Sequence, residues 1–300
     1  MKFVRLNQNY SYNDMVNDTS MLSIAYPDFI HTEIIGTSVS NRSIIMFRLG
    51  KGEKGIILTG GVHGRESINP IVMMAMMEEY AAMYYDRSKS ARFKESEQID
   101  LLEFFEEYSI YMVPLVNPDG YMIAQRGFHM IHNDELREEA IAKNIPHEQW
   151  KFNSRGIDIN RNFPSRNWVK KFDEDEAASE AETKALIRLF YEVDSSAYID
   201  YHSRGNEIFY FRKQLGEEYN RRQLCIAKRL AKVTGYSLIE PKDEIGAEDT
   251  GGNTVHYYSE TFERPAITIE TVPEEEDFPL YIGYQEITYQ QILYTPFYVI

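Results

Sequence analysis

The sequence predicts an α/β fold: one mixed, mostly parallel twisted sheet with helices on both faces. Three observations lead there. Short apolar runs bounded by Gly, Ser or Asn alternate with longer helix-like segments along the whole chain. No Pro/Ser/Gly-rich linker and no internal repeat divides the 300 residues, so a single domain spanning 1–300 is expected. The composition, 43% hydrophobic and 26% charged, is that of a chain able to bury a large core.

Taken in order, residues 11–25 carry apolar positions at helical spacing and stop at Pro27, which predicts a first helix. The runs Ile30–Ile35, Ile44–Leu49 and Gly55–Gly60 predict three strands. Ser67–Tyr85 is helix-like, and its Met73, Met74, Met76 and Met77 are expected to fill the core. A charged helix at about 95–107 precedes Ile110–Val116, a strand expected to be buried on both faces. The stretch 117–170 is turn-rich and sparse in periodicity, and connections of that length are usually functional. Helices follow at 179–192 and 216–234, strands at Ala197–His202, Glu207–Phe211 and Ala266–Glu270, and a closing helix in the last twenty residues. On the 216–234 helix Cys225 stands beside Leu224 and Ile226 and is expected to be a small buried hydrophobe. The acidic clusters Asp173–Glu176 and Glu274–Asp277 are expected to be solvated loops.

Several functional classes drop out early. A formal net charge of −15 argues against broad contact with nucleic acid or anionic membrane, where Lys and Arg must neutralise phosphates. The single cysteine allows neither an internal disulfide nor a Cys-rich zinc site, so any metal must be held by His and carboxylates. The stretch MKFVRLNQNY lacks the apolar core of a secretory signal and no segment reaches the length of a membrane span, so a cytoplasmic location is expected. Gly50-Lys51-Gly52-Glu53-Lys54-Gly55 matches the dinucleotide pattern GxGxxG, but a strand follows it where a helix is needed, which predicts a hairpin loop. Neither GxSxG nor a Walker A pattern occurs.

The segment Gly60-Gly61-Val62-His63-Gly64-Arg65-Glu66 lies where a strand ends and the Met-rich helix begins, the place where open α/β sheets build their sites. Across that glycine-flanked turn His63 and Glu66 can face one ion. A third donor must come from another strand end, and His202 closes the apolar run that starts at Ala197. Two His and one carboxylate with a fourth position open is the catalytic zinc arrangement. Glu270 ends the run Ala266–Ile269, where partial desolvation would raise its proton affinity toward that of a general base. A strand-end salt bridge is the other reading of that carboxylate.

Five motifs in order then carry a family resemblance: His63-Gly64-Arg65-Glu66, Asn117-Pro118-Asp119-Gly120-Tyr121, Gly156-Ile157-Asp158-Ile159-Asn160-Arg161-Asn162-Phe163-Pro164, His202-Ser203 and Thr268-Ile269-Glu270. Together they resemble the zinc metallocarboxypeptidases of the carboxypeptidase A type, over about residues 10–295. The resemblance implies one Zn²⁺ held by His63, Glu66 and His202, with Glu270 as general base and then acid. It implies that Arg161, with Asn160, binds a terminal carboxylate and that Arg65 contacts substrate. For the oxyanion, alignment on Trp150 points to Lys151 and guanidinium chemistry to Arg155. The segments Trp150–Asn160, His202–Tyr210 and Glu263–Glu270 look most like the bacterial branch that cleaves γ-D-glutamyl-L-diamino acid bonds of peptidoglycan stem peptides.

The chain also departs from the pattern. No tyrosine matches the family's mobile one in Ala247–Thr250, His256 and Tyr257 stand in place of Asp-Trp, and Val255 falls near the specificity position. Residues 121–170 carry eight basic side chains against six acids, which suits an anionic peptide or muropeptide substrate. Competing expectations are a carboxypeptidase acting on ordinary peptides, an amidohydrolase of small N-acyl amino acids, and a non-catalytic metal-binding module. No nucleic-acid or membrane partner is expected.

Overall fold

In the computed structural model, which describes residues 2–97, 99–170, 175–244 and 251–300, the apolar runs pair into one eight-stranded sheet. The strands are β1 (Ile30–Thr37), β2 (Ser43–Leu49), β3 (Lys54–Gly60), β4 (Tyr108–Val113), β5 (Ser195–Ser203), β6 (Glu207–Phe209), β7 (Ser237–Leu238) and β8 (Ala266–Thr271), arranged in the order β1-β2-β4-β3-β5-β8-β6-β7. The centre, β4-β3-β5-β8, is parallel throughout. Strands β1, β2 and β6 join antiparallel toward the edges, and β7 pairs parallel with β6. The sheet is therefore mixed with a parallel core, as the alternation of elements predicts.

Successive side chains of a strand point to opposite faces, and the central strands have apolar groups on both. Ile56, Leu58, Ala197, Ile199, Ile267 and Ile269 face one layer, formed by α1 (Tyr12–Ala25), α2 (Ile68–Tyr85), α4 (Leu101–Glu107), α8 (Glu217–Thr234) and α11 (Tyr284–Ile292). Ile57, Tyr198 and Ala266 face the other, where α7 (Ala181–Glu192) and α10 (Thr254–Phe262) pack. Met73, Met74, Met76 and Met77 are fully buried, in keeping with a core role. Local signals set several helix starts: Ser11 and Asp14 form a reciprocal capping box at α1, and Asp100 accepts from Leu102 N and Glu103 N at α4. No helix among the described residues is long and apolar enough to cross a membrane.

The structure corrects several expectations. The single helix at 95–107 is two, α3 (Arg87–Glu97) and α4, because Asp100 caps a new start. The stretch 117–170 contains α5 (Pro118–Arg126) and α6 (Asp134–Ala142); α6 buries only Ala140, so it leaves almost no apolar periodicity to read. Strand β7 and the helices α9 (Pro241–Glu244) and α10 are also additional to the sequence reading. The loop after β2 is not a hairpin, since β4 lies between β2 and β3. Its glycines serve close packing: a Cβ on Gly52 would stand 2.1 Å from Tyr108 N. Cys225 is exposed, because the buried stripe of α8 runs through Tyr219, Gln223, Ile226, Ala227 and Leu230 and passes it by. In Asp173–Glu176 the first two residues, and the whole of Ala247–Thr250, lie outside the described residues.

Candidate active site

Parallel strands deliver the site. Strand β3 ends at Gly60, and the turn that follows carries His63 and Glu66 before α2 begins. The turn is pressed against α5: a Cβ on Gly64 would stand 2.3 Å from Gly120 carbonyl carbon, so both backbones need glycine here. Asn117 caps α5 by accepting from Gly120 N at 2.8 Å, and its Nδ2 donates to Val62 O at 3.1 Å. The Asn-Pro-Asp-Gly motif thus fixes the turn that holds His63. On the next strand His202 pairs in register with Glu270 of β8, which puts both at the same level of the sheet. Asn69, at the start of α2, ties these pieces together by donating to His202 O at 2.8 Å and accepting from Thr271 Oγ1 at 2.8 Å.

One donor atom each from His63, Glu66 and His202 lies within 4.8 Å of the other two. Glu66 divides its oxygens between the rings: His63 Nδ1 is 2.6 Å from Oε1 and His202 Nδ1 is 3.2 Å from Oε2. The opposite ring nitrogens each meet another carboxylate, His63 Nε2 at 3.3 Å from Asp158 Oδ1 and His202 Nε2 at 3.0 Å from Asp200 Oδ2. Once a ring gives up one of its two protons, the aspartate beside Nε2 can keep the other there and the Nδ1 lone pair then faces inward. Two inward lone pairs and a carboxylate are the donor set of a catalytic zinc site, so the residues fit the ion.

Charge balance agrees with the geometry. Burial opposes a charge on His63, but Glu66 and Asp158 outweigh it and push its pKa up to about 8. The same contest raises His202 well above the usual imidazole range, through Asp200 and Glu66. Burial also opposes ionisation of Glu66, yet the two imidazoles hold it at about 2. The cluster therefore favours a bound positive charge. Half-buried Glu270 shows the reverse: burial, with Glu66 and Asp200 repelling its charge, raises it to about 8 although both imidazoles pull the other way.

The remaining candidates fall around this group. Lys151 Nζ is 2.6 Å from Asp158 Oδ2, so it stands one carboxylate away from His63. Arg155 is tied instead to buried Glu180 at 3.1 Å. Both line a cavity of about 570 Å³ that also takes in Asp158, Arg161 and Lys184. Among the described residues Arg161 Nη1 donates to Asn160 O, at 2.8 Å, and Asn160 Oδ1 accepts from Thr254 N at 3.0 Å. Arg65 lines a second cavity of about 360 Å³ on the other side of the His63–Glu66 turn. Val255 and Tyr257 pack into the core between sheet and α7. His256, half-buried beside Arg212, lies in a separate small cavity, where burial, then the charges of Arg212 and Arg161, press its pKa down to about 3.

Sequence reasoning missed Asp158, Asp200 and Asp119. Asp200 had a readable signal: two residues before His202 on one strand, it must share that side chain's face. It also accepts from Thr59 Oγ1 at 2.6 Å and from Thr254 Oγ1. Asp119 stands inside the Asn117–Tyr121 motif, but its partners Ser38, Arg42 and Ser154 come from distant segments and could not be read from it.

Fold and site define a zinc metallopeptidase. The zinc carboxypeptidase family model matches residues 15–290, and the chain belongs to that family. It is 23% identical to gamma-D-glutamyl-L-diamino acid endopeptidase 1 of Lysinibacillus sphaericus, over 97% of this chain and 72% of the relative. Human carboxypeptidase B is 26% identical over 72% of this chain, which spans about half of that protein (52%). Among solved structures, bovine thrombin-activatable fibrinolysis inhibitor in complex with tick carboxypeptidase inhibitor superposes with a TM-score of 0.76 at 18% identity, covering 97% of this chain and 96% of the other.

Proposed function

We propose that this protein hydrolyses the γ-D-glutamyl-L-diamino acid bond of peptidoglycan stem peptides, as one catalytic domain with its core at about residues 10–295. The observation that carries the choice is the likeness to a bacterial endopeptidase of that specificity along 97% of the chain. The 570 Å³ cavity beside the metal group supports it, since it offers Arg161 free of any carboxylate partner among the described residues to a carboxylate of the diamino acid.

His63, Glu66 and His202 would hold Zn²⁺, which when bound lowers the pKa of a water and polarises a scissile carbonyl. Glu270, beside His202 in register, takes the proton of the attacking water and passes it to the departing amine. With a pKa raised to about 8 it is a better proton carrier near neutrality than an ordinary carboxylate. Lys151, paired with the Asp158 that also meets His63, is assigned to the developing oxyanion. Arg155, held by Glu180, shapes the wall of the cavity. Arg161 and Asn160 fix the carboxylate of the leaving side.

Digestion of purified muropeptides followed by mass spectrometry tests this reading. Cleavage between D-glutamate and the diamino acid is expected. Release of C-terminal residues from ordinary peptides with intact muropeptides would replace it by the plain carboxypeptidase reading, which the likeness to carboxypeptidase B favours.

A further inference from the structure

The two imidazoles that face the metal position are joined behind it by a ring of hydrogen bonds. Each backing aspartate uses one oxygen twice. Asp158 Oδ1 lies 3.3 Å from His63 Nε2 and accepts from Asn160 N at 3.0 Å. Asp200 Oδ2 lies 3.0 Å from His202 Nε2 and accepts from Thr254 Oγ1. Asn160 and Thr254 then meet each other, since Thr254 N donates to Asn160 Oδ1 at 3.0 Å. The path from one histidine to the other therefore runs through Asp158, Asn160, Thr254 and Asp200, and Glu66 closes it on the metal side through both Nδ1 atoms.

Thr254 is not a metal donor and lines neither large cavity, yet it and Asp200 are fully shut off from water. Its N–H fixes the Asn160 amide. A backbone donor can be met only by the amide oxygen, so the orientation of that amide is settled and its Nδ2 is left for a ligand beside Arg161. Asn253, at the N-cap of α10, makes no side-chain cap bond, and Asn160 takes a free N–H of that helix from another segment. Close packing holds the two segments together: Phe163 N donates to Gly252 O at 3.0 Å, and a Cβ on Gly252 would stand 2.5 Å from Arg161 carbonyl carbon. The Thr254 hydroxyl reaches the other way, to Asp200, whose second oxygen Thr59 Oγ1 holds at 2.6 Å. Buried groups linked in this way have no water to turn to when a neighbour shifts, so their positions change together.

We infer that Thr254 is a positioning residue that couples the metal group to Asn160 and Arg161, so that a leaving-side carboxylate and Zn²⁺ each strengthen the binding of the other. Whichever arrives first fixes Asn160 and the two aspartates, and the second meets donors already in place. By linkage the effect is the same in both directions. A substrate with a free carboxylate on its leaving side tightens the imidazoles around the ion, and one without it does not. The inference rests on the proposed assignment of Asn160 and Arg161 to a carboxylate, and holds for a muropeptide and for an ordinary peptide alike.

Zinc binding tests it without bond cleavage. The zinc affinity of the full chain is measured by chelator competition in excess butyrate and, at the same ionic strength, in excess butyramide, which has the same shape without the charge. Wild-type protein is expected to bind zinc about fivefold or more tightly in butyrate. Thr254→Val keeps the N–H and removes the hydroxyl, and should bring that ratio to about one while weakening zinc binding in butyramide about tenfold. Thr254→Ser, which keeps the hydroxyl, should restore both. Arg161→Gln should abolish the butyrate effect with zinc affinity in butyramide kept within about threefold of wild type. Thr254→Ala replaces the valine variant should that fail to fold, and the melting temperature of each zinc-free variant reports the fold. Equal zinc affinity of the wild type in butyrate and butyramide overturns the coupling. So does a butyrate effect that survives loss of the Thr254 hydroxyl, which would mean that the carboxylate acts on the ion directly. The muropeptide digest decides which bond is cut, and its failure leaves this result to be judged separately.

Discussion

In the proposed reaction Glu270 is the proton carrier. Glu270→Gln removes the proton acceptor and leaves His63, Glu66 and His202 in place, so zinc content should stay stoichiometric while turnover falls by about 10²–10⁴-fold. Near-normal turnover by a zinc-replete variant would mean that another group is the base. Asp158 and Asp200 work one layer out, each holding an imidazole by its Nε2. Asp158→Asn and Asp200→Asn are expected to weaken zinc binding by about 10–100-fold in a chelator competition. The same carboxylates raise the imidazole pKa values, which makes protons compete with the metal. With His63 at about 8, binding below that pH must displace a proton. Apparent zinc affinity should therefore drop on acidification, by up to about tenfold per pH unit for each proton displaced. An affinity flat between pH 8 and 6 would contradict the charge balance drawn here.

At the scale of elements, the segment 151–161 and the start of α7 form one polar unit behind the 570 Å³ cavity. Glu180 accepts from Asn153 Nδ2 at 2.6 Å and pairs with Arg155, while buried Glu182 has one oxygen with no partner. Burial first, then the charges of Asp119 and Glu180, raise Glu182 to about 7. Its pKa is higher folded than unfolded, so the folded state binds the extra proton. The stabilisation is complete below about 4.5, its ordinary value, and is lost as pH rises through about 7. Glu182→Gln keeps the shape without the charge, and should raise stability above pH 7 by on the order of 1–3 kcal/mol and little at pH 4.5. Urea melts at the two pH values measure this, and an equal change at both would exclude titration of Glu182 as the cause. Helix α6 teaches the complementary lesson: polar on nearly every side, it gave no periodic signal, whereas the continuous apolar runs of β3 and β5 were legible because both faces are covered.

For the whole molecule, a bound ion would join the turn after β3 to the end of β5, segments that the sheet and the Asn69 and Glu66 hydrogen bonds hold side by side. Chelation should abolish hydrolysis and lower the melting temperature by several degrees, since zinc at 100 times its dissociation constant adds about 2.7 kcal/mol to stability. Zinc added back should restore both, and an unchanged melting temperature would mean that the ligands do not share an ion. The sequence by itself carried the α/β class and the central strands and helices, through local periodicity, and offered His63, Glu66, His202 and Glu270 as candidates, through residue types at strand ends together with the family resemblance. It could not determine the neighbours. That Lys151 stands at Asp158 while Arg155 is held by Glu180, that β4 separates β2 from β3, that Cys225 faces solvent, and that Arg65 and Arg204 share the Phe278 ring were decided by tertiary structure. The physical reason is range. Propensity and periodicity act over a few residues, whereas charge pairing and burial act between groups that only packing brings within a few ångströms.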